Sequence, residues 1–149
     1  MKAFNFRLQT KLDISVLQEQ TARERMQASI STRNNVAEAL DNTVSRMNQM
    51  EQSVRDLSAK KSSFQELLLT RQYLPVLKEE KEQIKGKLVT AEKKVEEMRK
   101  ILLGKKRETN TLEKLRQKSW DSYLHEVLAG EQKDIDEIAI STYYRKHNL

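Results

Sequence analysis

The feature that most constrains this chain is a run of apolar residues whose spacing alternates between four and three. The run consists of Ile84, Leu88, Ala91, Val95, Met98 and Leu102. Extended in the same rhythm it has fifteen positions, ten of them apolar or aromatic: 74, 77, 81, 84, 88, 91, 95, 98, 102, 105, 109, 112, 116, 119 and 123. A mean spacing of 3.5 residues keeps one stripe of a helix against a partner helix, which is typical of a coiled coil. We call these fifteen positions the second seam.

An earlier stretch has the same rhythm and forms the first seam. Its apolar members are Met26, Ile30, Ala37, Leu40, Val44, Met47 and Val54, with Arg33, Glu51 and Ser58 at the remaining places. Between residues 9 and 25 the apolar residues Leu12, Val16 and Leu17 leave this rhythm, and we interpret the change as a stutter. Two seams in one chain predict two helices that pack against each other.

Composition excludes most other folds. The 149 residues include three glycines and one proline, too few turn residues for sandwiches, barrels or doubly wound sheets. An apolar content of 37% is low for a compact globular core. The absence of cysteine excludes disulfides, thiolate metal ligands and thiol catalysis. Because there is no long apolar run and no signal-peptide pattern, we expect a soluble intracellular protein.

We predict an all-α fold, an antiparallel two-helix coiled-coil hairpin with a longer second helix. We expect a single coiled-coil domain over 1–149, with helix 1 at about 5–58, the turn at about 58–63 and helix 2 at about 64–142. The turn is placed there because the segment is polar and because Ser63 and Glu66 match a capping box. A second possible turn lies at Tyr73-Leu74-Pro75, since proline removes a helical hydrogen bond. Gly130 is a candidate cap for the end of the long helix.

The sequence lacks the motifs of catalysis and cofactor binding. It contains no phosphate-binding glycine loop, and His125 and His147 stand 22 residues apart without a metal-binding motif. Adjacent carboxylates such as Glu79 and Glu80 lie in mixed-charge runs, which favours a solvated helix face. We therefore predict a non-enzymatic protein with no cofactor and no metal.

Positive charge is concentrated in residues 99–118, which we call the basic segment. Eight basic residues there stand against two acidic ones, giving +6, whereas residues 119–149 carry −3. Clustered cations suit phosphates, but no aromatic residues for base stacking are interleaved with them, so we expect no nucleic-acid partner. The basic segment is either a solvated face or a surface for an acidic protein. Just beyond it, Trp120 and Tyr123 share one helix face, where they either pack in the seam or anchor an interface.

Three stretches of the chain together resemble the family of the flagellar export protein FliJ. They are Phe4-Asn5-Phe6-Arg7-Leu8 with Leu12, then Ser62-Ser63-Phe64-Gln65-Glu66 leading to Gln72-Tyr73 and Leu77, and finally Glu113-Lys114-Leu115-Arg116 with Tyr123 and the run from Glu131 to Ala139. The resemblance covers essentially the whole chain. Pro75, Glu80 and Ile84 depart from the family's pattern.

The resemblance implies a stalk similar to the γ subunit of rotary ATPases. Such a stalk lies in the pore of the hexameric export ATPase with both chain ends inside the ring, and its turn-proximal part contacts the cytoplasmic linker of the membrane export gate. The resemblance also implies handling of export chaperones and a cytoplasmic location at the inner face of the cell membrane, at the flagellar base. The alternatives are the central stalk of a virulence type III secretion ATPase or of a V/A-type rotary ATPase, and an unrelated structural coiled coil.

Residue patterns and resemblance together assign two partner-binding surfaces. The surface for the ATPase ring is assigned to residues near the two chain ends: Phe4, Phe6, Arg107, Lys114, Trp120 and Tyr123. The surface for the export gate is assigned to Tyr73, Leu77 and Ile84. Since Leu77 and Ile84 also belong to the second seam, packing between helices is the alternative for both.

Overall fold

The computed structural model describes residues 3–59 and 64–147, and these form two helices. Helix α1 spans Gln9–Ala59 with 51 residues, and helix α2 spans Phe64–His147 with 84. No strand occurs in the described ranges, which are 96% helical. The predicted fold class, an all-α helical hairpin with a longer second helix, is confirmed. Over the residues described, neither helix has a stretch long and apolar enough to span a bilayer.

Helix α1 begins at Gln9 rather than near residue 5, because the preceding segment shelters alternate side chains. Phe4 and Phe6 are both sheltered, whereas Asn5 between them is exposed. Side chains two positions apart share one side of an extended chain, but they lie about 200° apart around a helix. The Phe6 carbonyl then accepts the Gln9 N–H at 3.0 Å and leads into α1.

Helix α2 continues through both positions at which the sequence suggested a turn or a helix end. It continues through Tyr73-Leu74-Pro75, so the second possible turn is wrong. Because Pro75 has no N–H, the Arg71 carbonyl loses its usual helical donor there. The helix also continues past Gly130 to His147, since an interior glycine costs a helix only about 1 kcal/mol relative to alanine. The predicted turn falls largely on residues 60–63, including Ser63 of the capping box, which lie outside the described residues.

The chain divides into two compact units. Unit 1 contains the residues up to Gln20 and those from Gly104 onward. Within it the helices run antiparallel: Ser15 Oγ lies 2.9 Å from Thr109 Oγ1, and Lys105 Nζ donates to Gln18 Oε1 at 3.2 Å. The buried apolar cluster of this unit consists of Phe6, Leu12 and Leu112, with Phe4 packed against it.

Unit 2 spans Thr21–Leu103 and is also an antiparallel helix pair. Arg46 of α1 donates from Nη2 to Glu80 Oε1 of α2 at 3.0 Å, whereas the earlier Val36 lies beside the later Lys87. Residue numbers therefore fall along α1 as they rise along α2. The most enclosed apolar side chain is Leu77, with 0% exposure.

Burial confirms the second seam over most of its length. Its twelve positions from 74 to 112 are all buried or half-buried, although Lys81, Lys105 and Thr109 among them are polar. Positions 116 and 119 are exposed, since α1 begins only at Gln9 and no part of it faces them.

The stutter predicted near the start of the first seam is wrong. The sheltered residues of α1 keep the alternating spacing of three and four: Leu12, Ser15, Glu19, Ala22 and Met26. Ser15 and Glu19 concealed this rhythm because they are polar. The apolar Leu17, which suggested the stutter, is 67% exposed.

Candidate partner-binding surfaces

Three of the residues predicted for the ring surface meet in unit 1, where Phe4, Trp120 and Tyr123 form an aromatic cluster. The Phe4 and Trp120 rings meet edge to face, with centroids 5.0 Å apart and planes at 84°. The Tyr123 ring lies 5.5 Å from each of the other two centroids. Edge-to-face and tilted arrangements are favourable because the positive ring edge meets the negative ring face. Phe4 thus partly covers the pair Trp120 and Tyr123, which no part of α1 faces.

Phe6 has a different position from Phe4. It is only 7% exposed and packs with Leu12 and Leu112 in the buried cluster of unit 1. Burying a phenylalanine side chain contributes about 1.5–3 kcal/mol. Phe6 therefore holds the N-terminal segment in place and positions Phe4, rather than offering a surface to a partner.

The two predicted cations, Arg107 and Lys114, are exposed on α2 and lie seven residues apart. This spacing places them on one helix face, about 10 Å apart. Arg107 also lines a groove of unit 1 that sequence reasoning missed, together with three half-exposed apolar residues: Leu8, Ile14 and Leu115. The available signal was that all three are apolar yet lie outside both seams. A cation beside apolar side chains suits a partner surface that is both apolar and acidic.

In unit 2 the structure separates the three residues predicted for the gate. Tyr73 is exposed, Ile84 is half-buried and Leu77 is fully buried, which favours the packing alternative for Leu77. Leu69 and Val76 share the exposed face of Tyr73, four residues before it and three after it. Sequence reasoning missed these two residues, although their apolar character outside the seam was a signal. We call Leu69, Tyr73 and Val76 the Tyr73 face.

One ion pair on the surface of α2 joins Glu96 and Arg99. Arg99 donates from Nε and Nη2 to the two Glu96 carboxylate oxygens, each at 2.9 Å. These hydrogen bonds lower the pKa of Glu96 and raise the pKa of Arg99. Because both side chains are about half exposed, the pair contributes little to stability.

The described residues offer no metal site and no buried polar group in need of a ligand. No three histidine or carboxylate side chains come together there in a way that would hold a metal ion. Every buried side-chain nitrogen and oxygen in the described ranges has a hydrogen-bond partner.

Comparison with known proteins matches this chain to a family model. Residues 4–148 match the family model described as the flagellar FliJ protein. The chain belongs to the FliJ family. It is 26% identical over 141 residues to the flagellar FliJ protein of Bacillus subtilis strain 168, covering 95% of this chain and 96% of that relative. No solved structure matches this FliJ-family chain.

Proposed function

We propose that this FliJ-family chain is a non-enzymatic stalk subunit of the flagellar type III protein export apparatus. In this role it inserts both chain ends into the hexameric ring of the export ATPase and links the ring to the cytoplasmic linker of the membrane export gate. It also handles export chaperones, and it acts in the cytoplasm at the inner face of the cell membrane, at the flagellar base. The family match over residues 4–148 supports the flagellar apparatus over the virulence and rotary-ATPase alternatives.

The aromatic cluster is the observation that supports placing the ring contact near the chain ends. Its Phe4–Trp120 contact, with centroids 5.0 Å apart, joins the start of the chain to α2 just beyond the basic segment. The resulting surface combines partly exposed rings with the exposed cations Arg107 and Lys114. Aromatic and arginine side chains are enriched at the energetic centres of protein interfaces. The ring surface that binds them should be apolar and acidic.

The Tyr73 face supports the second contact, with the export gate. Leu69, Tyr73 and Val76 are exposed together, and the described chain leaves this patch uncovered. Contiguous apolar side chains on a surface are typical of a protein-binding site. The two contacts therefore use chemically different surfaces, one cationic and aromatic, the other apolar.

The ring contact is tested by ATP turnover of the purified export ATPase with and without this protein. We expect stimulation that weakens as salt rises, because the Debye length falls from about 10 Å at 0.1 M to about 3 Å at 1 M. The double variant Arg107→Glu, Lys114→Glu should stimulate less. The matched control Lys78→Glu, Lys85→Glu, also seven residues apart but in unit 2, should stimulate normally. No stimulation by the unmodified protein, or equal loss in both double variants, would contradict the proposal.

The gate contact is tested by binding to the purified cytoplasmic part of the gate protein. Tyr73→Ala should weaken this binding and leave ATPase stimulation intact. Val89→Ala is the matched control, since Val89 is another exposed apolar residue of unit 2 on a different side of α2. Circular dichroism checks the helix content of each variant. Equal weakening by Tyr73→Ala and Val89→Ala would show that the Tyr73 face is not the contact.

A further inference from the structure

A groove in the middle of unit 2 has no part in the contacts proposed above. It runs between α1 and α2 and has a volume of about 730 Å³. The residues that matter for its chemistry are Thr32, Val36, Gly86, Lys87, Thr90 and Lys94. All of them lie within unit 2.

The threonines give this groove an apolar character. Thr32 Oγ1 donates to the Ala28 carbonyl at 3.1 Å, and Thr90 Oγ1 donates to the Gly86 carbonyl at 3.1 Å. Each hydroxyl hydrogen is thus used inside its own helix. An apolar surface can therefore cover the two threonines without leaving a hydroxyl donor unpaired, and their methyl groups and the Val36 side chain remain for contact.

Gly86 leaves one position of the groove lining without a side chain. A Cβ atom built on Gly86 would meet no atom within 4 Å, so nothing in the described chain requires glycine here. Glycine nevertheless weakens a helix relative to alanine. Its use at an exposed helix position fits close approach by another backbone.

Two unpaired cations set the charge of the groove. Lys87 and Lys94 lie seven residues apart on α2, about 10 Å along the helix axis. Neither forms an ion pair with a residue in the described ranges, whereas the neighbouring Lys85 pairs with Glu82 at 3.5 Å. An occupant with two carboxylates at the same spacing would complement both lysines.

We propose that this groove docks one acidic amphipathic helix of a second protein. A helix returns to the same face every seven residues, so its carboxylates one heptad apart match Lys87 and Lys94 while small apolar residues between them cover Gly86 and Thr90. The docked helix completes a local three-helix bundle in unit 2. The positive rim selects an acidic helix over a basic one, because like charges placed together oppose association. This contact goes beyond the proposed function, which assigns nothing to the groove.

The location of binding is tested with two peptides of about three heptads. One carries alanine and leucine on one face with glutamates seven apart, and the other has lysines in place of those glutamates. Since the chain has no cysteine, Gln83→Cys at the groove can carry a single environment-sensitive fluorophore. The acidic peptide should shift its emission to the blue. The same label on Val89→Cys, outside the groove, should not respond.

The chemistry of binding is tested by charge reversal and by filling the groove. Lys87→Glu, Lys94→Glu should weaken binding of the acidic peptide about tenfold and strengthen binding of the lysine peptide, whereas Lys78→Glu, Lys85→Glu, on another face of α2, should change it less than about twofold. Gly86→Leu should abolish binding while keeping helix content, because leucine favours helix over glycine.

Three outcomes would overturn the proposal: absence of binding, equal binding of both peptides, or a blue shift that grows with chain concentration alone. The last outcome would assign the groove to a second copy of the chain.

Discussion

Two regions of α2 each carry apolar residues at heptad-type spacing, and they differ in how far those residues are buried. From 74 to 112 every position of the second seam is buried or half-buried. Beyond the aromatic cluster, Leu128, Ile135 and Ile138 are spaced by seven and three on a different helix face from the second seam, and they remain 59–65% exposed. The first region is covered by α1, whereas no helix of the described chain packs on Leu128, Ile135 and Ile138. A 3.5-residue spacing therefore predicts which residues share one helix face. That face is buried only where a second helix packs against it.

The largest effect on the free energy of unfolding is expected when a buried residue of the first region is truncated and compared with an exposed residue of the second. Leu77→Ala should cost about 2–5 kcal/mol because a fully buried leucine leaves a cavity. Ile138→Ala should stay within about 0.5 kcal/mol, since the side chain is already in water. Leu88→Ala should fall between them, because Leu88 is half-buried. Urea unfolding followed by circular dichroism measures all three, and equal costs for Leu77 and Ile138 would remove the distinction between the regions.

The aromatic cluster marks the boundary between these regions, and Phe4→Ala tests it. We expect a loss of about 1–2 kcal/mol, since two ring contacts disappear from a partly buried site. Trp120 is the only tryptophan, so its emission reports on the cluster directly. It should shift to the red and become easier to quench with acrylamide. The control Tyr143→Ala removes a ring from the uncovered region and should leave Trp120 emission unchanged.

A smaller effect is expected from the polar contact inside the covered region. Thr109 donates its hydroxyl hydrogen to the Lys105 carbonyl at 3.1 Å, so Ser15 is the donor in the buried Ser15–Thr109 contact. Ser15→Ala should cost about 0.5–1.5 kcal/mol. Ser15→Val together with Thr109→Val should be near neutral or stabilising, because neither hydroxyl is then left unpaired. Ser53→Ala, an exposed serine with only a local hydrogen bond, should change the urea midpoint little.

The smallest effect concerns the pH dependence of the Glu96–Arg99 pair. Because hydrogen bonding from Arg99 lowers the pKa of Glu96, the pair stabilises the fold above the unfolded pKa and loses this contribution as pH falls through the folded one. A carboxyl NMR titration should place the Glu96 pKa below its ordinary value of 4.5. Arg99→Gln should raise it towards that value. An unchanged pKa in this variant would show that Arg99 is not the cause.

The fold was predictable where apolar residues fill most places of a seam and was misread near the start of α1, where polar residues interrupt it. The second seam follows from Leu, Ile, Val and Met at regular spacing, and burial bears it out from 74 to 112. Near the start of α1 the seam places hold Ser15 and Glu19, so periodicity of apolar residues could not reveal them. Conversely, Leu17 is apolar but faces water, because the geometry of pairing rather than hydropathy decides which stripe is covered.

The sequence predicted that several residues of the candidate surfaces come together, but it did not predict how far each side chain is buried. Phe4, Trp120 and Tyr123 were expected at one end of an antiparallel pair, and the structure brings them together. That Phe6 is enclosed while Phe4 is partly exposed depends on the extended conformation of residues 4–6, which helical periodicity does not describe. The groove beside Lys87 is also lined by Thr32 and Val36 of α1. It could not be predicted from the sequence, because the proximity of these residues depends on the register of α1 against α2.

Because the two helices of unit 2 run antiparallel, a change in the length of one helix changes its register against the other. Arg46 meets Glu80 while the earlier Val36 lies beside the later Lys87, so each residue added to one arm displaces its neighbours along the other. An insertion of seven residues in α1 alone would keep the apolar stripe facing inward yet slide it about 10 Å past its old partners. Viable length variants of such a protein should therefore gain or lose whole heptads from both arms at facing places.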